Sequence, residues 1–61
     1  MTEKIYYVEN DFALNLALEL IAIVVPCFIN REYIEMDYSR ITIVARNEDI
    51  ATIEKIFADL V

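Results

Sequence analysis

From Phe12 to Val25 the chain reads FALNLALELIAIVV, a run in which Asn15 and Glu19 are the only polar side chains. Alanine and leucine are strong helix formers, so the run is predicted to be a helix. Asp11, Asn15 and Glu19 recur at intervals of four and form one narrow polar stripe, which Ala22 and Pro26 continue. A surface helix of an ordinary domain shows a much wider polar face. Three arrangements account for the excess of apolar surface. In the first, a sheet covers one side and a second copy of the chain covers another, with Leu16, Glu19, Leu20 and Ile23 at the interface. In the second, a monomer leaves a contiguous apolar stripe in water, which monomers rarely do. In the third, Phe12 to Ile29 enters a membrane. That stretch approaches the ~20 residues of a span, but a charge such as Glu19 in mid-span costs about 2.5–3.5 kcal/mol. The alternating segments that follow have no role in a simple anchor, so a soluble assembly ranks first.

Length sharpens the point. Sixty-one residues make one domain, 1–61, and a chain of this size buries only about 60% of the surface its unfolded form exposes. Such scaffolds usually add disulfides, a metal or a partner chain. Cys27 stands alone and histidine is absent, so neither an internal disulfide nor a Cys/His zinc site is available. A partner chain remains. Apolar residues make up 59% of the sequence, above the roughly 45–50% of ordinary domains.

Eleven acids against five bases give a net charge of −6, which repels phosphate backbones and acidic membrane surfaces. A protein partner with a basic surface suits this charge, and direct nucleic-acid binding does not. Met1 to Lys4 lacks the pattern of a signal peptide, so a cytoplasmic address is expected.

Glycine is wholly absent. Phosphate-cradling loops of the usual Walker or dinucleotide-binding form need glycine and are excluded. Lys4 to Glu9 (KIYYVE) carries apolar side chains on both sides and predicts a central strand. Asn10 or Asp11 then caps the apolar helix, and Pro26 ends it. Glu32 to Tyr38 alternates strictly, with Ile34, Met36 and Tyr38 on one face and Tyr33, Glu35 and Asp37 on the other. Arg40 to Arg46 repeats the pattern, with Ile41, Ile43 and Ala45 inward. The two runs predict a tight hairpin turning at Ser39, with Arg40 and Arg46 across from Asp37, Glu35 or Glu32. Residues 27–31 either extend the second strand or form a loop. Asn47 caps a second helix with Glu48 and Asp49 in its first turn, and Ile50, Ile53, Phe57 and Leu60 mark its apolar face.

The expected order is β-α-β-β-α, an α+β fold with two helices on one face of a three-stranded sheet containing antiparallel pairs. It resembles the first five elements of the ferredoxin-like plan, which small-ligand regulatory domains of ACT type share. Domains of that type also carry a fourth strand after the second helix, and commonly a glycine-bearing loop after the first strand. Residues 1–61 have neither. The resemblance implies, as one alternative, a ligand sensor with its site at a dimer interface.

Catalysis finds little support. Histidine, the readiest group poised near neutral pH, is missing. Cys27 lies among Pro26, Phe28 and Ile29, a setting that keeps a thiol protonated and inert. Glu32, Glu35 and Asp37 could in principle hold a hard cation, but alternation splits them between two strand faces. Tyr33 and Arg31, with Arg40 and Arg46 nearby, resemble in outline a face that stacks single-stranded bases, yet Glu35 and Asp37 would repel the backbone. Neither catalytic residues nor a cofactor nor a metal site is expected.

The expectation is therefore a small, acidic, non-enzymatic protein-interaction module. It is oligomeric and serves as a regulator, adaptor or inhibitor of another protein. Acids at Glu35, Asp37, Glu48 and Asp49 form its charged surface, and with Glu32, Glu54 and Asp59 they could mimic nucleic acid if they lined up in one band. A membrane-anchored accessory peptide is the remaining alternative.

Overall fold

A computed structural model describes residues 1–61. Strand β1 (Thr2–Glu9) leads into helix α1 (Phe12–Val24), strands β2 (Cys27–Tyr33) and β3 (Tyr38–Ala45), a single 3-10 turn (Asn47–Asp49) and helix α2 (Ile50–Leu60). The three strands form one sheet in the order β1-β3-β2, with β3 antiparallel to both neighbours. This is the expected α+β order and a ferredoxin-like arrangement. Because β3 runs against both edge strands, β1 and β2 point the same way with β3 inserted between them.

Alternation along each strand separates two faces. Tyr6 and Val8 of β1, Cys27 and Ile29 of β2, and Ile41, Ile43 and Ala45 of β3 turn toward the helices. There they meet Leu14, Ile21 and Val25 of the first helical segment and Ile53 and Phe57 of α2. Tyr6 stacks flat on Phe57, with ring centroids 4.2 Å apart. Ala17, fully buried on α1, brings little bulk to that layer. The opposite sheet face is uncovered and carries Ile5, Tyr7, Phe28, Tyr38 and Val44.

Local signals explain the helix ends. The Asp11 side chain accepts from the Leu14 amide at 2.9 Å, one of the two caps expected. Helix α1 closes at Val24, just before Pro26, whose ring cannot supply the next amide. Asn47 does not cap α2 through its side chain, which instead accepts from the Thr2 hydroxyl. Asn47–Asp49 wind as the 3-10 turn, and the α-helix starts only at Ile50.

Two strand expectations are corrected. Strand β1 is an edge strand, not a central one. Its apolar residues on both sides reflect one buried face and one uncovered face, rather than two packed layers. The second strand is Cys27–Tyr33 rather than Glu32–Tyr38, and the turn falls at 34–37 rather than at Ser39. Tight two-residue hairpin turns need positive φ, and no residue of this glycine-free chain adopts it. A wider connection closes instead, with the Ile34 amide donating to Tyr38 O at 3.2 Å and the Tyr38 amide to Glu35 O at 3.4 Å. Ser39, small enough to lie under the helices, becomes a fully buried residue of β3. Ile34 and Met36 are exposed in the turn and share no inward face. The third strand keeps its expected inward set, and Arg40 lies opposite Glu32.

A candidate interaction surface on the first helix

The 13-residue helix α1 turns Leu14, Ala17 and Ile21 onto the sheet. At 3.6 residues per turn, the residues opposite them are Phe12, Glu19 and Ile23, with Leu16, Leu20 and Val24 on one flank and Asn15 on the other. All seven are exposed. Phe12 and Ile23 are 74% and 83% exposed, as open as polar surface residues, and Leu16 and Leu20 are about 40% exposed. The four residues expected at an interface, Leu16, Glu19, Leu20 and Ile23, thus share one outward face. Asp11, Asn15, Glu19, Ala22 and Pro26 also reach solvent, as their spacing requires.

Beside this stripe lies a polar cluster that no sequence spacing announces. Arg31, on the helix-facing side of β2, donates from Nη1 to Asn15 Oδ1 at 2.8 Å and from Nη2 to Asn10 Oδ1 at 2.9 Å. Its Nε reaches the Ser39 hydroxyl at 3.3 Å, and that hydroxyl donates in turn to Asn10 Oδ1. The guanidinium also lies over the Tyr33 ring, 4.8 Å from its centroid. One side chain therefore joins β2, β3, the β1–α1 connection and α1. Three of its four oxygen and ring partners are far from it in sequence, and only the register of the strands assembles them.

Three of the other four bases, all but Lys55, are spent locally. Arg40 lies between Glu32 and Tyr7 on the uncovered sheet face, pairs with Glu32, and has its pKa raised by Tyr7 and Glu32 together. Lys4 pairs with Glu54 at 3.5 Å, tying β1 to α2. Arg46 pairs with Asp49 at 2.8 Å and Glu48 at 3.5 Å, and Asp49 raises its pKa. Arg31 and Tyr33 face the helices whereas Arg40 faces away, so the aromatic and basic residues do not share one base-stacking face.

The acids divide between two ends of the sheet. Glu35 and Asp37 sit in the turn between β2 and β3, while Glu48 and Asp49 follow the far end of β3 and are engaged by Arg46. Glu35 and Asp37 therefore occupy a turn, not one strand face as their alternation predicts. No group of three or more Cys, Asp or Glu side chains gathers at metal-binding distance. Cys27 is half-buried, and burial, reinforced by Asp49, pushes its thiol pKa up. The run Phe12 to Ile29 divides at Pro26 into helix and strand, and no helix is long and apolar enough to cross a membrane. No family model, curated protein or solved structure matches the chain.

Proposed function

We propose that this chain is a small non-enzymatic protein-interaction module that self-associates through α1 and acts by binding another protein as a regulator, adaptor or inhibitor. One observation carries the reading: the stripe of Phe12, Leu16, Leu20 and Ile23 lies in water along the whole of α1. Contiguous apolar surface of this kind marks interaction sites. A second apolar surface lies on the other side of the molecule, where Ile5, Tyr7 and Phe28 stand on the uncovered sheet face. With α1 held by a copy, that sheet face stays free for a different protein, and a net charge of −6 favours one with a basic surface.

Light scattering on the purified chain tests the self-association. A dimer or larger species is expected at micromolar concentration without detergent, and a monomer would refute it. Replacing Leu16, Leu20 or Ile23 by Asp places a charge in the stripe and is expected to reduce the mass to that of one chain. An unchanged mass would move the interface to another surface.

A further inference from the structure

We infer that the uncovered sheet face docks a basic amphipathic helix of a partner protein, its apolar stripe on Ile5, Tyr7 and Phe28 and its cations at Glu3 and Glu9. The inference rests on the protein-binding reading proposed above and names the surface and the partner's chemistry. Strand register fixes what the face presents. Glu3, Val44 and Phe28 form one row across the sheet, and Ile5, Thr42 and Asn30 the next. Tyr7, Arg40 and Glu32 form the third row, with Glu9 beside Tyr38 at the end. Phe28 on β2 is 73% exposed and Tyr7 on β1 is 63% exposed, so the apolar part of the face reaches from one edge strand to the other. Those edge strands stand about 10 Å apart with β3 between them, and a helix with its side chains is ~10–12 Å across. One helix therefore covers the width of the sheet and forms a third layer opposite α1 and α2. A strand added at the edge of β1 would reach Ile5 and Tyr7 but leave Phe28 in water.

Charge selects the kind of helix. Glu3, Glu9, Glu32 and Arg40 are the charged side chains on this face. Glu32 is paired with Arg40, whereas Glu3 and Glu9 are in no ion pair within the chain. Both stand on β1, one on each side of Ile5 and Tyr7, about 20 Å apart at a strand's rise per residue. A helix covers that distance in about 14 residues, close to four turns. Lys or Arg at that spacing, on the helix flank above β1, meets both carboxylates. A second copy laid face to face would bring the same excess of acid. The stripe of α1 from another copy is no better matched, because α1 carries Glu19 and no base. A basic partner therefore fits this face better than the chain fits itself.

Fluorescence anisotropy at about 0.15 M salt tests the site with two labelled helical peptides of about 18 residues. Each has one leucine stripe; the first carries two lysines about 14 residues apart beside it, and the second carries glutamates in their place. The wild type is expected to bind the lysine peptide at least tenfold more tightly than the glutamate peptide. Glu3→Lys combined with Glu9→Lys should reverse that preference. Ile5→Asp should weaken binding of the lysine peptide at least tenfold, and Leu16→Asp should leave it unchanged. Circular dichroism checks that each variant folds, and the paired glutamate changes remove no ion pair of the monomer. Equal binding of the two peptides, no binding of the lysine peptide, or a preference that survives the double reversal overturns this docking site. Binding lost in Leu16→Asp but kept in Ile5→Asp overturns it too, and moves the partner to α1. Light scattering reads self-association separately. A chain that associates but ignores both peptides loses only the sheet site, and a monomer that passes the peptide tests loses only the self-association.

Discussion

Tyr6 contributes a stacked ring to the core and strands a hydroxyl within it. Its oxygen is buried with no hydrogen-bond partner, and burial, followed by the nearby Glu54 charge, raises the phenol pKa. The folded state therefore prefers the neutral phenol. That preference contributes fully below the ordinary tyrosine pKa of about 10 and is lost as pH rises through the raised folded value. Tyr6→Phe keeps the stack with Phe57 and removes the stranded oxygen. It should stabilise the fold by about 1 kcal/mol and flatten the alkaline loss of stability, as read by urea unfolding at neutral pH and above the tyrosine range. Asn10 presents the opposite case, since its Oδ1 accepts from both Arg31 and the buried Ser39 hydroxyl. Asn10→Ala should cost about 1–2 kcal/mol in the same measurement, because Ser39 is left without an acceptor.

Among the elements, helices were the more legible. Asp11, Pro26 and the spacing of Leu14, Ala17 and Ile21 are local signals, and the outward position of Leu16, Glu19, Leu20 and Ile23 follows from the same periodicity. Strand order was less legible because it depends on partners distant in sequence. Ile5 and Tyr7 carry the same residue types whether they face a second layer or water, so β1 reads as central while lying at an edge. Glu32 to Tyr38 alternates well enough for a strand, yet the lack of a residue suited to positive φ moves the turn onto it. The Arg31 cluster needs Asn10, Asn15 and Ser39 from three other segments, which no spacing in the chain reveals. Register also shows how the edges are guarded. Lys4 on β1 and Arg31 on β2 turn charge toward the helix-covered side of each edge strand, a placement that discourages another strand from pairing there. Lys4→Val removes that guard and the bond to Glu54. Light scattering should then show larger, polydisperse species that persist when Leu16→Asp is added.

For the whole molecule, the margin is narrow. Nine apolar residues are buried, and a core of this size yields roughly 3–5 kcal/mol. Ile43 is fully buried at the centre of β3, and truncating such a residue to alanine costs about 2–5 kcal/mol. Ile43→Ala should therefore leave the isolated chain largely unfolded by circular dichroism. Raising the protein concentration should restore part of the signal, because assembly stabilises the folded state by mass action.

The insertion of β3 between β1 and β2 has a kinetic consequence. Thr2 lies opposite Ala45, so the first strand has no neighbour to zip onto until α1, β2 and β3 have all been made. The β2–β3 hairpin, closed by a short turn, can nucleate from local contacts, while docking β1 requires a long loop to close first. On a ribosome, Thr2 to Glu9 would emerge before β3 and wait for it. Their apolar alternation would remain exposed to chaperones throughout that delay, and the strand made before its only neighbour would be the last of the three to find its place.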